Sequence, residues 1–181
     1  MPGPVFLRGE RIELRTVEED DLDFLQDTIN APNVRRFLGS RSPVNGGQER
    51  EWYEERASDT DGDHVHLLVC RDGEAMGSIG LHPKDPTGVN VEIGILLAEE
   101  FWGEGYGTDA SRLITDFAFR ERRHHRVIAR VFSGNVGSAR IWEKLGFRHE
   151  ATHVESEFLD GEYVDVEFYA ILEDEWFGRE E

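Results

Sequence analysis

The chain has 181 residues, 38% of them hydrophobic, and its 38 acidic residues outnumber the 20 basic ones to give a formal net charge of −18. This length and apolar content support a folded core and exclude a disordered chain, and we expect a single domain over residues 1–181. The acidic balance argues against nucleic acid as a partner, because duplex DNA is bound by basic surfaces that neutralise its phosphates.

Hydrophobic periodicity and turn residues predict a mixed order of strands and helices. In chain order we predict a strand at 11–17, helices at 18–30 and 46–59, strands at 64–70, 75–81 and 91–97, a helix through 110–118, a strand at 126–132, a helix at 138–145, and strands at 150–159 and 162–172. This order predicts an α/β (α+β) fold in which helices flank a mixed, mostly antiparallel central sheet.

Turn and capping signals mark several of these boundaries. Thr16 followed by Glu19 matches a capping box before the first helix. Asp72–Gly73 and the segment 83–90 separate the three middle strands, and Asp160–Gly161 joins the last two strands as a hairpin does. The three middle strands are therefore expected to form an antiparallel meander.

The surface charge has an unusual composition, because Lys84 and Lys144 are the only lysines. Self-repulsion of this size is tolerable where salt screens it, since the Debye length falls to about 3 Å at 1 M. Acidic surfaces with so little lysine resemble those of proteins from salt-loving organisms. We expect a halophilic host, and an ordinary acidic protein is the alternative.

Location and metal binding are constrained by what the sequence lacks. No run approaches the roughly 18 apolar residues of a membrane span, and the N-terminus lacks a signal-peptide layout, so we expect a cytoplasmic protein without a membrane partner. Cys70 is the only cysteine and is expected in a buried strand. His64 and His66 alternate along a strand, but no third ligand is evident, so we expect structural histidines and no metal.

The segment FWGEGYGTDA (101–110) places three glycines at alternate positions directly before a helical pattern. A glycine-rich turn at a helix N-terminus is an anion site, because backbone N–H groups converge there and the helix dipole adds about 0.3–1 kcal/mol. The patterns of a P-loop and of a dinucleotide fingerprint are both absent. A diphosphate held by the backbone remains, with a tight turn that binds nothing as the alternative.

A second motif, NVGSARIWEKLGF (135–147), follows one predicted strand later. Together the two motifs resemble the GNAT N-acetyltransferase superfamily, whose acetyl-CoA site has Q/R-x-x-G-x-G/A at a helix start and N-x-x-S-x-x-x-Y-x-K-x-G-F downstream. The segments 7–25 and 160–176 resemble the opening and the ending of the RimJ/RimL-type branch, so that the resemblance covers nearly the whole chain.

This resemblance implies an N-acetyltransferase with acetyl-CoA as cosubstrate. The CoA diphosphate is expected on Gly103–Thr108, and the backbone of Ile95–Leu97 is expected to pair with the pantetheine arm like an added strand. Asn135 is expected to reach the pantetheine or the acetyl end. The cofactor-binding residues so implied are Ile95, Leu96, Leu97, Trp102, Gly103, Glu104, Gly105, Tyr106, Gly107, Thr108, Asn135 and Ser138.

Two residues depart from the superfamily pattern. Trp102 occupies a position that usually holds Gln or Arg, although the Rim-type branch often has an aromatic residue there. Trp142 stands where many members have the tyrosine that protonates the departing thiolate, and an indole N–H cannot act as a general acid near neutral pH. Ser138 lies one helical turn earlier and is the candidate to hold a water or to bond the thiolate, with helix capping as its alternative role.

Glu92 is the candidate catalytic base, because the family often uses a glutamate on this strand to deprotonate the amine, commonly through water. The alternative is a carboxylate that binds the incoming ammonium or has a structural role. Asp165 on the last strand is a further candidate to receive a cationic amine, or a solvated edge residue. The basic cluster 120–126 falls at a helix C-terminus, far from the glycine turn, and is not the expected diphosphate clamp.

The chemistry favours a protein N-terminus as the acceptor. At pH 7 an α-amine with a pKa of about 7.7–8.0 needs about 1.4 kcal/mol to become neutral, and a lysine-like amine near 10.4 needs about 4.6 kcal/mol. The alternatives are a small amine, such as a polyamine, an aminoglycoside or an amino acid, and a non-catalytic acyl-CoA sensor suggested by Trp142. A homodimer formed through the terminal strands is also plausible on this sequence.

Overall fold

One eight-stranded sheet organises the protein. The structure, a computed structural model, describes residues 2–39, 42–58 and 63–178. The strands are β1 Val5–Arg8, β2 Glu13–Thr16, β3 Val65–Arg71, β4 Glu74–Pro83, β5 Asn90–Leu97, β6 Arg126–Phe132, β7 Arg148–Leu159 and β8 Glu162–Leu172. Their order is β1-β2-β3-β4-β5-β6-β8-β7, and each neighbouring pair is antiparallel except β5 and β6. The predicted mixed, mostly antiparallel sheet is confirmed.

Helices cover both faces of the sheet. They are α1 Leu22–Asn30, α2 Pro32–Arg35, α3 Gly46–Trp52, α4 Tyr106–Arg120, α5 Val136–Leu145 and α6 Glu173–Phe177, and a π-helical turn at Tyr53–Ala57 continues α3. No helix among the described residues is long and apolar enough to cross a membrane.

The middle of the sheet is buried from both sides. On β3, Leu67 and Val69 join the core formed with α4 and α5, whereas Leu68 and Cys70 join the core formed with α1 and α3. A strand covered on both faces carries a continuous apolar run rather than an alternating one, which explains the local sequence. Cys70 is fully buried, as predicted.

The structure differs from the sequence prediction at several elements. The edge strand β1 was not predicted, because it has four residues and only alternate side chains are partly buried. The short helix α6 was missed as well, whereas α2 lies where the sequence predicts a short helical connection interrupted by Pro32 and Pro43. The capping box predicted at Thr16 and Glu19 is formed instead by Glu18 and Asp21, around a 3₁₀ turn that precedes α1. Residue 59, the last of the predicted helix 46–59, lies outside the described residues.

The parallel contact between β5 and β6 is short. It pairs Asn90–Ile93 with Arg126–Ala129 and extends no further. Beyond it, β5 continues along β4 as far as Leu97, and β6 continues along β8 as far as Phe132. The sheet therefore divides at this point, and the end of β5 has a strand on one side only.

The backbone groups that face this division follow from the register. The N–H of Ala98 donates to the carbonyl of Met76 at 2.9 Å, which places Leu97 opposite Gly77 in a non-hydrogen-bonded pair. Backbone direction alternates along a strand, so the polar groups of Ile95 and Leu97 point away from β4. Within the described residues, no strand pairs with them there.

Candidate active site

A cleft of about 960 Å³ opens where β5 and β6 separate. One end lies at the start of α4 and along α5. The other end, called the distal half, is bounded by α1, α2 and α3 and by the sheet face that carries Glu92 and His82. The predicted site residues that line the cleft are Glu92, Ile95, Leu96, Leu97, Trp102, Gly103, Gly105, Gly107, Thr108, Asn135 and Ser138.

Three residues singled out from the sequence are not among those that line the cleft. The side chain of Tyr106 is 7% exposed and its hydroxyl bonds Arg71, so that only its backbone is available at the helix start. Glu104 presents its carbonyl to an arginine and its side chain to solvent. Asp165 accepts a 2.7 Å hydrogen bond from the N–H of Glu155 and thereby holds an irregularity in β7.

Each glycine of the 101–110 turn has a reason within the chain itself. Gly103 and Gly105 have φ values of +80° and +87°, a backbone conformation that disfavours side chains. Gly107 has ordinary dihedrals, but a Cβ there would lie 2.8 Å from Cδ1 of Ile141, so that a glycine lets α4 approach α5. The number of glycines is therefore not by itself evidence for a ligand.

Arg11 holds this turn in place. Its Nε and Nη2 contact Oδ2 of Asp109 at 2.7 Å and 2.5 Å, and its Nη1 donates to the carbonyl of Glu104 at 3.1 Å. The guanidinium also lies 5.4 Å from the ring centre of Tyr106. The sequence did not indicate this role, because Arg11 and Asp109 are 98 positions apart.

The start of α4 presents backbone N–H groups of the kind that bind anions. The first N–H groups of a helix have no partner within the helix. In α4 these are the N–H groups of residues 106–108, which directly follow the glycine turn. Arg140 and Lys144, four residues apart on α5, also line the cleft and add positive charge. The basic cluster 120–126 lies at the other end of α4, which has 15 residues and is about 22 Å long.

Trp102 covers part of the exposed edge of β5. Its Nε1 donates a 2.9 Å hydrogen bond to the carbonyl of Leu97. Because that carbonyl faces the division in the sheet, the indole takes the place of a strand partner at this residue. The N–H and carbonyl of Ile95 still point into the cleft.

Asn135, Ser138 and Trp142 form one connected group on α5. The Oδ1 of Asn135 accepts from the N–H of Ser138 at 3.1 Å and caps the helix. Trp142 is 1% exposed, packs on Phe147 with ring centres 5.1 Å apart, and donates from Nε1 to Oγ of Ser138 at 3.3 Å. Because Ser138 Oγ accepts from the indole, its own proton remains available for donation toward the cleft.

Glu92 is held between two cations. Its carboxylate lies 2.9 Å from Nζ of Lys84 and 3.3 Å from Nε of Arg130, and its side chain is 14% exposed. An incoming ammonium would compete with these partners. A neutral amine or a water can instead approach a carboxylate whose position is already fixed.

Glu49 is a second carboxylate in the distal half, which the sequence analysis missed. It is 6% exposed, and burial raises its pKa above the usual 4.5. Within residues 2–39, 42–58 and 63–178 no hydrogen bond or ion pair to its carboxylate is found, and the residue lines the cleft. The amphipathic pattern of α3 gave no signal for it, because glutamate is normally read as a solvent-facing residue.

Two histidines stand beside Glu92 on the same sheet face. Burial lowers the pKa of His66 to about 4 and also lowers that of His82, and neighbouring imidazoles add to both effects. His82 joins His64 and His66 as a third histidine, which the sequence did not indicate. It was missed because the predicted strand ended at residue 81, whereas β4 continues to Pro83.

Comparisons with known proteins agree with this geometry. Residues 11–148 match the family model described as an acetyltransferase (GNAT) domain. The putative ribosomal N-acetyltransferase YdaF of Bacillus subtilis is 31% identical over 94% of this chain and 96% of its own. The spermidine N(1)-acetyltransferase of Escherichia coli is 26% identical over 84% of this chain and 81% of its own.

A solved structure supports the fold. The spermidine N-acetyltransferase from Vibrio cholerae, in complex with CoA and spermine, superposes with a TM-score of 0.85 at 23% identity. The superposition covers 93% of this chain and 99% of that one.

The fold and the family match define the class of protein. The chain belongs to the GNAT acetyltransferase family, and its relatives support a RimJ-like branch. It is an N-acetyltransferase that transfers the acetyl group of acetyl-CoA to an amine.

Proposed function

We propose that the acceptor is the N-terminal α-amine of a protein or peptide. The observation that carries this proposal is the composition of the distal half, where the carboxylate of Glu49, which has no partner among the described residues, stands in an apolar wall. The apolar residues of that wall are Leu25, Ile29, Val34, Phe37, Leu38, Val44 and Trp52. Such a wall suits the side chains of a peptide's first residues, and the carboxylate suits its single terminal charge.

A small polyamine is the second candidate. The named relative from Escherichia coli supports it, and so does the net charge of −18. A polyamine carries a charge at each nitrogen, however, and the distal half offers Glu49 and Glu92, of which Glu92 is already paired with Lys84 and Arg130. The arrangement of charge therefore favours an acceptor with one ammonium group.

Acetyl-CoA is proposed to bind across the division in the sheet. The amides that begin α4, at Gly103–Thr108, would hold the diphosphate with Arg140 and Lys144 nearby. The pantetheine would pair with the backbone of Ile95–Leu97, beside Trp102, and would pass the amide of Asn135. These assignments are supported by the lining of the cleft and by the backbone groups that point into it.

The proposed chemistry is direct transfer. The α-ammonium loses a proton to Glu92, or to a water that Glu92 positions, and the resulting neutral amine attacks the thioester carbon. The C–S bond then breaks, which releases the CoA thiolate, and the nitrogen loses its second proton as the amide forms. A backbone N–H at the end of β5 polarises the carbonyl oxygen. The departing thiolate has a thiol pKa near 8.5, so a hydrogen bond from Ser138 is sufficient assistance without the tyrosine that Trp142 replaces.

Glu92→Gln is expected to lower kcat by about 10²-fold or more, because positioned general bases typically contribute 10²–10⁴-fold. The affinity for CoA, measured by calorimetry, should be unchanged. Glu150→Gln is the matched control. Glu150 pairs with an arginine of β6, Arg126, as Glu92 pairs with Arg130 of that strand, but Glu150 does not line the cleft. Equal kcat values for the two variants would remove Glu92 from the mechanism.

Glu49→Gln is expected to raise KM for the acceptor about tenfold or more, because hydrogen bonds to charged groups contribute roughly 1.5–3 kcal/mol. The same change should increase the free energy of unfolding at pH 7. The pKa of Glu49 is raised in the folded state, so ionisation above that pKa costs stability, and the amide removes this cost. Urea unfolding measures the second effect.

Glu51→Gln, on the exposed side of the same helix, controls for a general change in α3 and should alter neither quantity. A Glu49→Gln protein that was less stable, with KM unchanged, would show that Glu49 has a structural role only.

The acceptor class is tested by acetylation followed by mass spectrometry, in molar KCl and in low salt. The matched pair consists of two peptides that differ at one internal position and at the N-terminus. The first has a free N-terminus and an arginine at the internal position. The second has a blocked N-terminus and a lysine there. We expect kcat/KM to favour the free N-terminus by about 10²-fold or more, because the two amines differ by over two pKa units. Preferred acetylation of spermidine in the same assay would overturn the proposed acceptor and retain the enzyme class.

A further inference from the structure

Three imidazole rings converge at the edge of the distal half. His66 lies on β3 opposite Gly80 of β4, and His82 follows two residues later on the same face of β4. The ring centre of His82 lies 5.1 Å from that of His66 and 5.8 Å from that of His64. One ring nitrogen from each residue lies within 4.8 Å of the others.

Two glycines make room for these rings. A Cβ on Gly80 would lie 2.6 Å from the carbonyl oxygen of Val65, and also 3.2 Å from Nδ1 of His66 and 3.3 Å from Nε2 of His82. A Cβ on Gly94 would lie 3.1 Å from the same nitrogen of His82. Side chains at either position would therefore push the imidazoles away from one another.

One nitrogen of the cluster is unpartnered among the described residues. The Nε2 of His66 is buried and has no hydrogen-bond partner in the described part of the chain. His64 is exposed, which gives a solute access from outside, while His66 and His82 line the cleft. A buried nitrogen without a partner is unfavourable unless a ligand completes it.

We propose that His64, His66 and His82 bind a divalent transition-metal ion of the zinc class. Tetrahedral zinc has nitrogen ligands at 2.0–2.1 Å, so its ligands stand about 3.3 Å apart, and small side-chain rotations bring these nitrogens together. Three imidazoles favour zinc, copper or nickel over magnesium and calcium, which prefer oxygen ligands. A three-histidine site keeps a fourth position for water or another ligand.

The charges that face the cluster have opposing effects on an incoming cation. Lys84 and Arg56 contribute positive charge near His82, and Glu92 contributes negative charge. Arg56 is on an exposed side chain, and the charge of Lys84 is compensated by its 2.9 Å ion pair with Glu92. This site goes beyond the acetyl-transfer function and does not depend on which amine is the acceptor.

The test uses the full-length protein, with any affinity tag removed and after treatment with EDTA. Zn²⁺ binding is measured by calorimetry, and Co²⁺ is titrated while its visible ligand-field absorption is recorded. We expect one ion per chain and the intense bands of a four- or five-coordinate site. His64→Ala and His82→Gln should each weaken Zn²⁺ binding about tenfold or more and abolish those bands.

His125→Gln is the matched control, because His125 is an exposed histidine just before β6 and outside the cluster. It should bind Zn²⁺ as the unchanged protein does, and CoA binding should confirm that every variant is folded. Zn²⁺ affinity that is equal in the control and in the two cluster variants would overturn the proposal. So would a cobalt spectrum typical of octahedral coordination by water.

Discussion

The early end of the parallel contact between β5 and β6 is the constraint on which the site depends. Backbone N–H and carbonyl groups need partners when they are buried, so a strand that loses one neighbour must find other partners or face solvent. One side of β6 is paired with β8 along its whole length, and one side of β5 is paired with β4. The other side of Ile95 and Leu97 is left facing a cleft.

The rest of the site is arranged around that exposed edge. Trp102 bonds the carbonyl of Leu97 at the end of the strand, and Arg11 fixes the glycine turn that follows. The amides that begin α4 are thus held in a set position relative to β5. The edge can accept one more extended chain by the geometry of strand addition, which is the geometry proposed above for the pantetheine arm.

The two faces of the sheet differ in composition at the distal half. The side chains of β4 and β5 that face α4 and α5 form the larger core, whereas the opposite face carries Glu92, His82 and two glycines. Polar residues and missing side chains in the middle of a sheet lower stability, so their presence under α3 is consistent with a functional surface. Glu49, which is buried and has no hydrogen-bond or ion-pair partner among the described residues, belongs to the same set.

Local patterns in the sequence predicted most of the fold and much of the lining of the cleft. Strand alternation and the helical stripe of 110–118 are short-range signals, and the two motifs carried the family resemblance. The partners of Glu92 were not predictable, because Arg130 is brought near only by the parallel register of β5 and β6. Arg11 was missed for the same reason, and His82 was missed because a strand end was placed two residues too early.

The most direct test of the account is residue-resolved amide hydrogen exchange, measured with and without CoA. If the cofactor pairs with the open edge of β5, exchange at Ile95 and in the first turn of α4 should slow on binding. Exchange at Ile128, which already lies between β5 and β8, should not change. Binding of CoA with unaltered exchange at Ile95 would contradict the claim that the division of the sheet is the cofactor site.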